Sequence, residues 1–180
     1  MTVNTNPFNV QLRDVTIRKF NNTDPMSIMP QVVEFTLYQS VFENTIKADL
    51  VVNDLIGLME NYPLSAEELV QVEISQQIDD TVDARKILDF VITNIKDISI
   101  SDDARQTSYV IELAGFQSFA NVKGRVSHAY YDTIEQMIEN IYSTYINRGL
   151  TNLKPLNIIP TTSKIRKLVV PNLRPLDTIS

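Results

Sequence analysis

Apolar and polar positions alternate along most of the first two-thirds of the chain. The breaks in that alternation divide it into strands. Val10, Leu12, Val15 and Ile17 begin with period two and slip by one residue near Arg13-Asp14, which predicts a bulge that returns the apolar set to one face. In the next run Val33, Phe35 and Leu37 fall on one face, with Val32, Glu34, Thr36 and Tyr38 on the other. After Gln39–Asn44, Ile46, Ala48, Leu50 and Val52 face one way, and Lys47, Asp49 and Asn53 the other. These two runs predict a hairpin. Asn53-Asp54 is placed to cap a short helix holding Leu55, Leu58 and Met59 and ending before Pro63. Val70, Val72 and Ile74 alternate with Gln71 and Glu73 in a half-buried strand, and the polar stretch Gln76–Asp83 reads as a loop. Leu88, Phe90 and Ile92 lead a further strand, and Tyr109, Ile111 and Leu113 another, with a turn at Ser101-Asp102-Asp103 between them. Strands joined by polar turns, with one short helix, predict an antiparallel sandwich or barrel.

The period changes after about residue 115. Asp132-Thr133-Ile134-Glu135 is a capping-box-like start, with the acid at the cap and Glu three residues on. Ile134, Met137, Ile138, Ile141, Tyr142 and Tyr145 then follow the spacing of a one-faced helix over about 132–147, which Arg148-Gly149 would stop. Ile165 to Val170 reads as one more strand. The final ten residues carry a proline where a helix would begin, with Leu176 and Ile179 as its first buried positions. A helix that short is not stable alone, so the chain is expected to be part of a longer protein. The fold class is therefore mainly β with α (α+β).

Composition narrows the chemistry. There are no cysteines, which removes disulfides, thiolate catalysis and cysteine-ligated zinc. The net charge of −6, from 22 acidic and 16 basic side chains, lacks the footprint of a nucleic-acid binder. No apolar run approaches the ~20 residues of a membrane helix, and Met1–Asn6 has no basic stretch ahead of an apolar core. His128 is the only histidine and has no second ligand at useful spacing. The acidic pairs Glu67-Glu68, Asp79-Asp80 and Asp102-Asp103 read as solvated loop acids, and Asp79, Asp80 and Asp83 lack the glycine and distal Glu of an EF-hand. Phosphate-loop, dinucleotide, zincin and nucleophile-elbow motifs are absent. No catalytic, cofactor-binding or metal residues are expected, and no enzyme activity. The basic run Lys164-Ile165-Arg166-Lys167 reads as a protected edge strand.

Several segments in a fixed order resemble the central hub proteins of contractile phage baseplates. Leu37-Tyr38-Gln39-Ser40-Val41-Phe42-Glu43-Asn44, followed by Ala48-Asp49-Leu50-Val51-Val52-Asn53-Asp54, is similar to the family's first hairpin and the acid-ended strand behind it. Pro63–Val72 is similar to its proline, small residue, glutamate and alternating strand, with Ala66 in place of glycine. Val126-Ser127-His128-Ala129-Tyr130 resembles the start of its second domain. Val169–Ile179 resembles a segment leading into a packed helix, with Leu176 where an aromatic is usual and Thr178 where alanine is usual.

The resemblance implies two tube-like β domains, the first over 1–115 and the second beginning over 116–180 and continuing past Ser180. It implies a homotrimer whose six domains form a ring, adapting a six-fold tail tube to a three-fold spike within the virion's tail baseplate, assembled in the host cytoplasm. Implied partners are the tail tube protein, the central spike protein and neighbouring baseplate proteins, with no membrane and no specific nucleic acid, although DNA passes through the lumen. An acidic inner wall would keep that DNA from adhering. Lys47, Asp49, Gln71 and Glu73 are expected on a solvent- or lumen-facing side. Candidate interface residues are Tyr38, Phe42, Tyr130, Tyr131, Lys164 and Arg166. Competing readings are a tail-tube or tube-initiator subunit, the spike-hub portion of a secretion system, a sandwich-type module binding carbohydrate or peptide, and, third, a cell-wall hydrolase. The absence of Trp and the scatter of Tyr and Phe disfavour the binding module.

Overall fold

The computed structural model describes residues 10–19, 24–65, 68–79, 82–101, 106–147, 156–159 and 164–179. Ala66, Glu67, Asp80, Asp102, Asp103, Arg148 and Gly149 lie outside the described residues, as do the side chains of Asp79 and Asp83. The chain divides into two compact units, Met1–Phe116 and Gln117–Ser180.

The first unit is a curled half-barrel made from one antiparallel sheet. Its strands are β1 (Val10–Arg18), β2 (Met26–Ser27), β3 (Val32–Tyr38), β4 (Lys47–Asp54), β5 (Leu69–Asp79), β6 (Val82–Ile100) and β7 (Thr107–Gly115), in the order β2-β1-β5-β6-β7-β4-β3. Its core is the apolar half of each alternation: Val15 and Ile17, Leu50 and Val52, Val70 and Val72, Phe90 and Ile92, Tyr109 and Ile111 are all buried. The bulge in β1 falls between Leu12 and Asp14, where the sequence slips. Asp14 holds it: one carboxylate oxygen accepts the Val15 N–H at 2.9 Å and the Ser27 hydroxyl at 2.6 Å. β3 and β4 form the expected hairpin.

Three local readings are corrected. The stretch Gln76–Asp83 is not a loop, because β5 runs to Asp79 and β6 starts at Val82, with Gln76 opposite Ala84 and Asp79 opposite Val82. A hairpin end held by backbone pairing needs no apolar alternation to form, so the pattern missed it. Val33 does not share a face with Phe35: a register shift between Val32 and Glu34 turns Val32 onto the core and leaves Val33 67% exposed. The short helix α1 spans only Leu58–Asn61, with Leu55 exposed ahead of it. It starts late because Gly57 turns the chain through a left-handed conformation (φ 68°), a geometry costly for any residue with a Cβ.

In the second unit helix α2 (Phe116–Lys123) leads to strand β8 (Val126–Asp132), helix α3 (Ile134–Ile141), strand β9 (Arg166–Leu173) and helix α4 (Pro175–Ile179). β8 and β9 form a two-stranded antiparallel sheet. Val126, Tyr130, Met137, Ile141 and Val170 make its core, with Tyr145 and Ile179 packed against them. The α3 cap sits one residue later than the sequence indicates. Asp132 is still paired in β8, so Thr133 is the cap, and its partner three residues on is Gln136 rather than Glu135. Helix α3 passes into a π-helical turn at Tyr142–Ile146, and the wider turn buries Ile146, a position that regular helical spacing does not place on the core face. Asn121 of α2 accepts the Leu176 N–H at 2.8 Å, satisfying an end of α4 that the sequence leaves open.

Candidate functional site

Buried acids are the first place to look for chemistry, and here Asp54 and Glu68 hold backbone while Asp89 holds a side chain. Asp54, at the end of β4, accepts N–H groups from Ile56 (3.2 Å), Leu58 (2.7 Å) and Met59 (3.1 Å). It therefore caps α1 from four residues back. The Tyr109 hydroxyl lies 3.5 Å from its other side, and burial, reinforced by the Asp54 charge, pushes the Tyr109 pKa well above the usual phenol value. Glu68 is 2% exposed rather than a solvated loop acid. It accepts the Ser65 N–H at 2.9 Å and the Ser65 hydroxyl at 2.7 Å, fixing the turn into β5. Asp89 accepts from Gln71 at 3.1 Å. His128 is exposed, with its ring edge-on to Tyr130 at 4.7 Å. Among the described residues no three His, Asp or Glu side chains gather to hold a metal, and no helix is long and apolar enough to cross a membrane.

The second face of the first sheet carries cross-strand polar contacts. Lys96 of β6 donates to Glu112 of β7 at 2.6 Å and stands 3.7 Å from Asp49 of β4. Asn94 donates to Glu112 at 3.0 Å, and the Tyr38 hydroxyl of β3 to Asp49 at 3.4 Å. One polar row thus crosses four neighbouring strands. Hydrogen bonds from Lys96 and then Asn94 hold the Glu112 carboxyl below its usual range, while the bond to Glu112 raises the Lys96 pKa. Further along the sheet Arg85 meets Glu73 at 3.3 Å, and Arg13 donates to Ser75 at 2.6 Å. Lys47, Asp49, Gln71 and Glu73 all alternate with core residues, away from the hydrophobic cluster.

Apolar side chains are exposed at several places in this unit, among them Leu55 and Ile56 ahead of α1 and Ile98 and Ile100 on β6. At the tip of the β3–β4 hairpin, Val41 and Phe42 are 93% and 94% exposed. Between the first half of β1 and the edge strand β3 runs a groove of about 470 Å3, lined by Val10, Leu12, Val33, Phe35, Leu37 and Ile74 among others. Among the described residues β2 pairs with β1 only at Thr16 and Ile17, and β3 pairs on one side only, with β4.

The six candidate interface residues divide between the two units. Tyr38 and Phe42 are exposed on the first unit's hairpin. Tyr131 is 73% exposed on β8, and Lys164 and Arg166 are exposed at and before the start of β9. Tyr130, at 5% exposure, is part of the second unit's own core, because its partner across the sheet, Leu168, faces α3 with it. The groove between β1 and β3 was missed from the sequence, since strands far apart in the sheet order line it.

No protein-family model and no curated protein matches the sequence. Solved structures do match. A chain of the lidded Francisella PdpA–VgrG complex is 10% identical over 90% of this chain and 23% of its own length, with a TM-score of 0.52. The E. coli c3393 protein, a component of the type VI secretion system described as similar to the T4 bacteriophage tail proteins gp27 and gp5, is 13% identical. It covers 97% of this chain and 40% of its own, with a TM-score of 0.47. This chain therefore spans well under half the length of the structures it matches. The likeness to the PdpA–VgrG chain is one of fold, an α+β chain with a curled antiparallel sheet.

Proposed function

We propose that this chain is a structural component of a contractile tail, a baseplate hub whose copies form a ring between a six-fold tail tube and a three-fold spike. The observation that carries this reading is the fold likeness to the PdpA–VgrG chain, which extends over 90% of the sequence and so includes residues of both units. The polar row on the second face of the sheet supports it, since a face turned to a water-filled lumen can carry charges that a buried face could not. The one-sided pairing of β3 among the described residues supports it as well, because unpaired edges are a liability unless a neighbour covers them. Residues 1–115 would be the first tube-like domain and 116–180 the start of a second. Tyr38, Phe42, Tyr131, Lys164 and Arg166 would lie at contacts with other copies or with the tube and spike, in a virion-borne assembly without enzymatic activity.

Co-expression with the tail tube and spike proteins of the same system tests the reading. The expected result is one complex holding equal numbers of this chain and the spike chain, in threes, with tube protein on the opposite side. Separate elution of all three proteins would overturn it. A complex with tube protein alone, growing into a tube, would reassign the chain as a tube subunit.

A further inference from the structure

We draw no further inference here: the strongest candidate, the apolar groove of about 450 Å3 that Met137, Ile138, Leu168 and Ile179 line in the second unit with Arg166 and Lys167 beside them, is an unpartnered surface, and nothing in the structure shows what covers it.

Discussion

Asp54 does the work of several residues at once. Its carboxylate satisfies three N–H groups of the turn after β4 and sits against the Tyr109 hydroxyl inside the core. Asp54→Ala would strand those donors where water is scarce, so chemical denaturation should show a loss on the order of 3 kcal/mol. Tyr109 sets a limit on the alkaline side. Its folded pKa is raised above the phenol value of about 10, first by burial and then by the Asp54 charge. A raised pKa contributes stability that is fully present below the unfolded value and lost as pH rises past it. Thermal unfolding should therefore weaken progressively above about pH 10, and Y109F should flatten that decline. Glu112 has the opposite sign: its depressed pKa supports the fold above the usual carboxylate value, and that support goes as pH falls through the folded value. The helix-capping role of Asp54 was legible in the sequence, because an acid stands ahead of an apolar helical run. The burial of Glu68 was not. A loop acid turned inward onto the Ser65 backbone and hydroxyl reads the same as one turned out to solvent.

Among the elements, legibility follows how much of the core each one carries. β1, β4, β5 and β7 lie with their alternate side chains on the hydrophobic cluster, and the period of two located each of them, including the bulge before Asp14. The β5–β6 hairpin end was lost because its pairing is carried by backbone. Helix α2 passed unnoticed because its sequence, Phe116–Lys123, offers only Phe116 as a buried side chain. The π-helical turn after α3 could not be seen in a pattern that assumes regular helical spacing. Two glycines anchor elements in ways that substitution exposes. A Cβ on Gly124 would stand 2.9 Å from Cγ of the Pro175 ring and 3.0 Å from the Ala120 carbonyl oxygen. G124A should accordingly push α4 off α2 and lower the unfolding midpoint, with weakened amide protection at Leu176 as the local sign. A Cβ on Gly57 would stand 3.2 Å from Asn61 Nδ2, which must give way slightly, and the residue sits at φ 68°, so G57A should cost about 1 kcal/mol or more, chiefly through backbone strain.

At the scale of the molecule, the proposed wall segment rests on the first unit's sheet. That curled sheet buries an apolar face and carries a polar face with cross-strand contacts, and among the described residues β3 is paired on one side only. The order of motifs resembles the hub family, and the fold is similar to that of a chain of the PdpA–VgrG complex. The groove appears only because β1 and β3, second and last in the sheet order, line the same space. Sequence periodicity carries no information about that curl, which comes from strand twist accumulated over the whole sheet. The account stands or falls on whether copies of this chain assemble through their first unit with three-fold symmetry. The most direct measurement is the solution mass of the purified protein by light scattering, followed by electron-microscope class averages of the same fraction. The account predicts a trimer whose averages show three-fold symmetry. A monomer at every attainable concentration, or an assembly without a three-fold axis, would contradict it.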